Sequence, residues 1–288
     1  MKYKILACSI IIIFLINIAA VASPVSNNSK ENKTTTLEDP VPTWTVGDTW
    51  IYTFNSIIVD YSYNDLKVYM TGRVDDFKWT VTDTSGEDYI VDLTGKITVD
   101  SYDIYLPFAS RVLHITGSIK PSLTRLSGTI TFTKSDLEIK DISASITGIS
   151  AAKISPLFFS IPIPFKITLD SDLSTVFPIF NFPLYGNKFW SLPSIEIVSN
   201  LNVGGLFGIF KYPITFTSSY SWTPFAFHCK PKVDVTVEAG TFNAYDIEST
   251  FFDIFEYFYA PTAGNLVKID AILTRGQVHG ELKSTTFN

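Results

Sequence analysis

Cysteine and histidine are scarce in this chain of 288 residues. Its two cysteines are Cys8 and Cys229, and it has three histidines. Because we expect Cys8 to leave with a leader segment, Cys229 has no partner and an intrachain disulfide is excluded. The apolar residues around Cys229 predict that its thiol is buried as a small hydrophobic group.

Charge is also sparse. Charged residues make up 17% of the chain, against about 25% in typical soluble domains. The formal net charge is −6, and the sequence contains no basic cluster. Neither nucleic acid nor an anionic lipid surface is therefore an expected partner. Aromatic residues reach 15%, and many of them lie in a charge-poor, Pro- and Phe-rich middle region, residues 154–228.

The familiar signatures of catalytic and metal sites are missing. The sequence has no Gly-x-Ser-x-Gly elbow, no His-Glu-x-x-His motif and no P-loop. His228 and Cys229 are adjacent, and on a strand such neighbours point to opposite faces rather than to one ion. His114 and His279 occupy ordinary strand positions. We therefore predict a non-enzymatic protein without catalytic residues, metal or cofactor.

The N-terminus predicts export from the cytoplasm. Lys2 and Lys4 precede a nearly continuous apolar run that ends in Ala20-Val21-Ala22. This is the pattern of a signal peptide over residues 1–22, cleaved near Ala22. The alternative is a retained N-terminal membrane anchor. Under the first interpretation the mature protein is secreted or displayed on the cell surface.

A polar tether is expected to follow the leader. Residues 23–40 contain too little apolar surface to offset the entropy of ordering them. They include N-glycosylation triplets at Asn27 and Asn32. Residues 41–288 are expected to form a single β domain, with two pseudo-halves that divide near residues 155–185.

Alternation of apolar and polar residues predicts strands throughout the mature chain. Phe77, Trp79 and Val81 alternate with polar residues, a turn follows at Ser85-Gly86, and residues 89–93 resume the same rhythm. Such a period of two is typical of a sheet with one buried face. Strands joined by short turns favour antiparallel pairing. The predicted fold class is therefore all-β.

Two similar motifs mark strand beginnings about 140 residues apart. The first runs from Trp44 to Tyr52 around Gly47-Asp48, and the second from Phe182 to Trp190 around Gly186-Asn187. Each predicts a tight turn just before a strand that carries aromatic residues.

These motifs, together with two further ones, resemble a loose group of secreted archaeal and bacterial β proteins. The further ones are the Val-Glu-Ala-Gly-Thr-Phe hairpin at 237–242 and the Tyr-Ala-Pro-Thr-Ala-Gly-Asn-Leu-Val-Lys ending at 259–268. Some members of this group resemble the lipoprotein-carrier half-barrel. The resemblance implies a strongly curved antiparallel sheet, as a half-barrel or open barrel, with Pro- and Phe-rich loops over one apolar face. It implies no catalytic residues.

The Pro- and Phe-rich middle leaves three interpretations open. Its prolines cannot donate to a central ladder, so they favour edge strands, bulges and loops. These loops could contribute to the core, line an apolar cavity, or form an exposed patch for a membrane or partner. The residues predicted to face a ligand, or to cover it as a lid, are Phe158, Phe159, Phe165, Phe177, Phe180, Phe182, Phe207 and Phe210.

The aromatic surplus and the charge-poor middle favour one functional hypothesis over two others. The leading hypothesis is an extracytoplasmic protein that binds a hydrophobic or lipid-like ligand. The first alternative is a structural or adhesive module of the cell envelope. The second is a polysaccharide-binding or polysaccharide-active protein, in which tryptophans stack on sugars. The tryptophans available for stacking are Trp44, Trp50, Trp79, Trp190 and Trp222.

Overall fold

The fold is built from long antiparallel strands. A computed structural model describes residues 38–63, 66–108, 111–155, 159–192, 196–203, 214–221, 225–249, 254–273 and 276–288. The strands are β1 Thr49–Tyr63, β2 Leu66–Asp83, β3 Asp88–Phe108, β4 Arg111–Ile119, β5 Thr124–Thr133, β6 Ile139–Ile154, β7 Ile161–Phe177, β8 Lys188–Leu192, β9 Glu196–Val203, β10 Ile214–Ser221, β11 Phe225–Val237, β12 Gly240–Ser249, β13 Ile254–Ala260, β14 Asn265–Leu273 and β15 Gly276–Thr285. The helical elements of the described chain are two three-residue 3₁₀ turns, Pro121–Leu123 and Pro261–Ala263, which are too short to cross a membrane.

All fifteen strands belong to one sheet. Its order is β10-β9-β7-β6-β4-β3-β2-β1-β15-β14-β13-β12-β11-β8, and every pairing is antiparallel. Strands β4 and β5 share one position between β3 and β6, separated by the first 3₁₀ turn. The predicted all-β antiparallel fold class is confirmed.

The connection between β7 and β8 requires the sheet to curve strongly. These two strands are eleven inter-strand steps apart in the sheet order. At about 4.8 Å per step, a flat sheet would separate them by about 53 Å. The chain from Phe177 to Lys188 can reach at most about 38 Å when fully extended. The strands therefore bend into a half-barrel, the architecture that the resemblance to secreted β proteins implied.

Alternation places one face of the sheet in the core. On β6, Ile142, Ala144 and Ile146 are buried, whereas the residues between them are more exposed. We call the buried side the concave face and the other side the outer face. Because side chains alternate along a strand, the polar residues of the predicted pattern fall on the outer face.

The predicted turns are present. Gly47 has a φ of 100° and Asn187 a φ of 68°, and each precedes the start of a strand, β1 and β8 respectively. Gly240, at the end of the β11–β12 turn, has a φ of 135°. Only glycine adopts that conformation without steric penalty, which explains its place in the hairpin motif.

The core changes character along the concave face. Around β13 and the N-terminal segment it is aromatic, with Trp44, Trp50 and Tyr259 almost completely buried. Along β6 and β7 it is mainly aliphatic, with the half-buried Phe165 between Ile163 and Ile167. The aliphatic wall consists of Ile146, Ala152, Ile154, Ile161, Ile163 and Ile167.

Three strand glycines lie beneath aromatic rings of a neighbouring strand, where a side chain would clash: Gly117, Gly148 and Gly280. A Cβ atom on Gly280 would lie 2.5 Å from the Phe54 ring, and one on Gly117 would lie 2.4 Å from the Tyr102 hydroxyl. In both cases the aromatic residue is the direct cross-strand partner. Rings that cover cross-strand glycines help to fix strand register in curved sheets.

The expectation that prolines keep the middle region out of the sheet interior is wrong for β7. Pro162 and Pro164 lie within this strand, which is flanked by β6 and β9. However, the described pairing of β7 with β9 begins only at Phe165, after both prolines. Among the described residues, both prolines therefore pair with β6, on the stretch of β7 that precedes its described pairing with β9.

Candidate functional site

The candidate site is an aromatic cluster on the concave face, centred on Trp79. Trp79 pairs with Trp50 across β1 and β2, which places both on the same face. Its ring centroid lies 5.9 Å from that of Tyr52, 6.3 Å from that of Phe77 and 5.9 Å from that of Phe132. These three neighbours are buried, but Trp79 keeps part of its surface exposed. We call Tyr52, Phe77, Trp79 and Phe132 the Trp79 cluster.

The indole N–H of Trp79 differs from those of the other described tryptophans. Trp44, Trp50 and Trp190 donate to main-chain carbonyl oxygens at 2.9, 2.6 and 3.1 Å. Trp79 Nε1 is buried and has no hydrogen-bond partner. Trp222 lies outside the described residues. The sequence does not distinguish Trp79 from the rest, because hydrogen-bond partners are fixed by tertiary contacts.

A crossing segment, residues 178–187, packs on the aromatic core around β13. Phe180 and Phe182 project from it and are buried against Tyr259, with ring centroids 4.9 and 5.4 Å away. Tyr257 donates a hydrogen bond to the carbonyl of Ile179. This aromatic end of the half-barrel is therefore filled by the protein's own side chains.

The segment around Asp39, which precedes β1, is hydrogen-bonded to the crossing segment. Asp39 and Leu184 exchange two backbone hydrogen bonds of 2.8 and 3.0 Å. The Asp39 carboxylate forms an ion pair with Lys232 and accepts a 2.6 Å hydrogen bond from the Tyr245 hydroxyl. Burial is the main cause that raises the pKa of Tyr245, with its hydrogen bond to Asp39 acting in the same direction. Tyr245 therefore remains a hydrogen-bond donor across the physiological pH range.

Of the predicted phenylalanines whose side chains the structure describes, Phe180 and Phe182 lie together with ring centroids 5.7 Å apart, whereas Phe159 and Phe165 lie elsewhere. Phe180 and Phe182 are core residues of the aromatic end. Phe159 is 63% exposed, and Phe165 lies half-buried over Gly148. The backbone of Phe177 ends β7, and the remaining predicted positions, Phe158, Phe207 and Phe210, lie outside the described residues.

Sugar stacking by most of the tryptophans is incompatible with their burial. Trp44, Trp50 and Trp190 are exposed by 2%, 0% and 6%. A buried indole cannot offer its face to a sugar. Among the described tryptophans, Trp79 alone is half-buried rather than buried.

On the outer face, each histidine contacts a carboxylate, a pattern that the sequence analysis missed. His114 Nε2 lies 2.8 Å from Asp103 Oδ1, and its ring stacks on Tyr105 with centroids 4.4 Å apart. His228 Nδ1 lies 3.3 Å from Glu248 Oε1. Only the strand register could reveal these pairs, because each joins residues on two neighbouring strands.

Four strand pairings align a charged row on the outer face of β11–β15. The row consists of His228, Glu248, Glu256, Asp270 and His279. Within the described part of the chain, no three His, Cys, Asp or Glu side chains cluster closely enough to hold a metal ion. The row is half-buried: His228 pairs with Glu248 and His279 with Asp270, whereas Glu256 lies between two carboxylates.

Neighbouring carboxylates in this row have opposite pKa shifts. Burial, and then the charges of Asp246 and Asp270, raise the pKa of Glu256. Burial also raises the pKa of Asp270, but hydrogen bonds with Lys268 and His279 outweigh it, so the net pKa is lowered. Glu256 therefore opposes folding in its charged form, whereas ionised Asp270 favours it.

An open polar groove of about 460 Å³ lies elsewhere on the outer face, across β3, β5 and β6. Hydroxyl groups dominate its lining, with one carboxylate and one guanidinium. The polar lining residues are Asp92, Thr94, Arg125, Ser127, Thr129, Ser143 and Ser145.

The predicted burial of Cys229 is confirmed. The residue is fully buried, and its neighbour His228 points to the opposite face and stacks on Phe189. Burial raises the pKa of the thiol to about 12, against a smaller lowering by Lys188. A thiol with that pKa stays protonated and unreactive at physiological pH.

Comparisons with known proteins provide no relative for this chain. No family model, no curated protein and no solved structure matches it. The predicted leader, residues 1–22, and the candidate glycosylation sites Asn27 and Asn32 lie outside the described residues.

Proposed function

We propose that this protein is an extracytoplasmic, non-enzymatic binder of a hydrophobic or lipid-like ligand, held on the concave face. The observation that carries the proposal is the incomplete burial of Trp79 within an otherwise buried aromatic cluster. A large apolar ring that stays accessible on the core side of a sheet is available to contact a ligand.

The aliphatic wall supports an alkyl chain as part of that ligand. Ile154, Ile161 and Ile163 present aliphatic side chains to the concave face, where they are buried together with Ile146 and Ile167. Each buried methylene of a ligand gains about 0.8 kcal/mol from apolar contact. A curved sheet with an aromatic floor and an aliphatic wall suits a flexible chain better than a rigid polar molecule.

Lipid extraction and probe binding test this proposal directly. Protein lacking residues 1–22 would be extracted with organic solvent and analysed by mass spectrometry, then titrated with a fluorescent acyl probe. We expect either a co-purified lipid or saturable probe binding with a change in tryptophan emission. Protein that is free of lipid and also fails to bind the probe would refute the proposal.

A matched pair of isoleucine variants localises the binding to the concave face. Ile163 lies on the aliphatic wall, whereas Ile149, on the neighbouring strand, is 42% exposed on the outer face. Ile163→Ala should weaken probe binding by roughly tenfold through lost apolar contact. Ile149→Ala should leave it unchanged. Far-UV circular dichroism would check that both variants are folded.

The hydroxyl-lined groove favours polysaccharide binding as a second candidate. Its lining offers many hydrogen-bond donors and acceptors along three strands, and its volume falls within the usual range for ligand sites, about 300–1,000 Å³. Arg125→Ala would abolish glycan-array signals under this alternative. An array without hits on the unmodified protein would eliminate it.

A further inference from the structure

The unpaired indole N–H of Trp79 bears on the chemistry of the ligand. Unsatisfied buried donors are uncommon in folded proteins because each forfeits its hydrogen bonds to water. Among the described residues, the hydroxyls of Thr98 and Tyr259 and the amide nitrogen of Asn265 also lack a partner, but those side chains are buried, whereas Trp79 is partly exposed. The other described tryptophans each donate to a carbonyl, so this fold normally satisfies its indoles. The nearby Tyr52 hydroxyl donates to the Leu266 carbonyl at 3.0 Å. The rings of Phe77 and Phe132 offer no acceptor oxygen.

We infer that the ligand carries a neutral carbonyl group next to its alkyl chain, and that Trp79 Nε1–H donates a hydrogen bond to that oxygen. This inference rests on the proposed function. The three rings around Trp79 carry no formal charge. A carboxylate placed there would lose hydration without gaining a counter-ion, so an ester fits better than an ionised fatty acid.

A matched pair of ligands separates the hydrogen bond from apolar contact. Methyl decanoate and dodecane have the same number of chain atoms, and only the ester carries a carbonyl. Affinities would be measured by displacement of the fluorescent acyl probe from the protein lacking residues 1–22. We expect Trp79→Phe to lower the affinity for methyl decanoate by roughly 3- to 10-fold, the range for loss of one neutral hydrogen bond. Dodecane affinity should change by less than about twofold, since both aromatic rings provide apolar contact.

Phe77→Leu serves as the control variant. It alters packing around Trp79 without removing a donor, so it should shift both affinities by the same factor. A second readout is the ¹H–¹⁵N spectrum of the indole groups, in which the Trp79 signal is assigned by its absence from Trp79→Phe. That signal should move downfield with the ester and stay in place with the alkane.

Each outcome bears on the inference. Equal weakening of ester and alkane in Trp79→Phe, or an unmoved Trp79 indole signal with bound ester, would overturn it while leaving the proposed function intact. Failure of both ligands and of the acyl probe to bind the unmodified protein would overturn the proposed function, and the inference with it. Selective loss of the ester in Trp79→Phe, together with the downfield shift, would establish the hydrogen bond.

Discussion

Replacement of Gly280 by alanine tests whether aromatic rings over glycines hold the curved sheet in register. A Cβ atom at this position would lie 2.5 Å from two carbons of the Phe54 ring. Carbon atoms in contact normally keep about 3.5–4.0 Å, so one group must move by about 1 Å. Phe54 is only 3% exposed and packs against Phe77, which leaves the ring little room.

The expected change in the free energy of unfolding of Gly280→Ala follows from two opposing effects. Overpacking a tight core costs about 1–3 kcal/mol. Replacing a strand glycine by alanine recovers about 0.5–1 kcal/mol of backbone entropy. We expect Gly280→Ala to lower the free energy of unfolding by about 1–2 kcal/mol. For a domain of this size, each kcal/mol corresponds to a fall of about 2–4 °C in Tm.

Gly95→Ala is the matched control, because its Cβ would meet the Phe77 ring at an ordinary 3.4 Å. We expect it to leave Tm unchanged or raise it slightly. Thermal and urea unfolding, followed by circular dichroism, would measure both variants. Phe54→Leu should relieve the clash, so it should lower the free energy of unfolding by less in the Gly280→Ala background than in the unmodified protein. Equal Tm shifts for the two glycine variants would refute the reasoning.

Three further predictions concern titratable groups. At pH 7, Glu256→Gln should raise the free energy of unfolding and Asp270→Asn should lower it. The gain from Glu256→Gln should shrink as pH falls through the raised pKa of Glu256 and should vanish below its ordinary pKa of about 4.3. The loss from Asp270→Asn should begin to shrink near the ordinary pKa of about 3.9 and should continue to fall as pH passes through the lowered pKa of Asp270 in the folded protein. Urea titrations at pH 3 to 7 measure both, and effects of the same sign at pH 7 would contradict the assignment. Cys229 should react with a thiol reagent only after denaturation, so rapid labelling of native protein would be inconsistent with its burial. Tyr245→Phe should lower the free energy of unfolding by about 1–3 kcal/mol because it leaves Asp39 without one of its hydrogen-bond donors. An unchanged urea midpoint would contradict a stabilising role for this hydrogen bond.

Local patterns predicted the strands and turns because their causes are local. The alternation of Phe77, Trp79 and Val81 placed these residues on one face, and the glycine-containing turns followed from backbone sterics. The prolines of β7 misled the same reasoning. A proline excludes a ladder bond only on the side to which its nitrogen points, and whether a partner lies there is a tertiary fact.

The candidate site was harder to predict than the fold. The high phenylalanine content pointed to the middle region. However, an aromatic residue that fills a core and one that lines a cavity are both apolar, so the sequence does not distinguish them. In the structure, Phe180 and Phe182 pack against Tyr259 and fill the core at the aromatic end. Trp79 was expected on the apolar side of its strand, yet its accessibility and unpaired N–H depend on neighbours far away in sequence.

The amino-acid sequence alone determined that this chain forms antiparallel strands with one apolar face, because side-chain alternation and turn sterics act over a few residues. Tertiary structure decided how far the sheet bends, which aromatic rings lie buried, and which histidine meets which carboxylate. Those properties depend on contacts between residues tens to hundreds of positions apart, such as Asp39 with Leu184 and Phe54 with Gly280. Their geometry is set only when the whole sheet curves around its core.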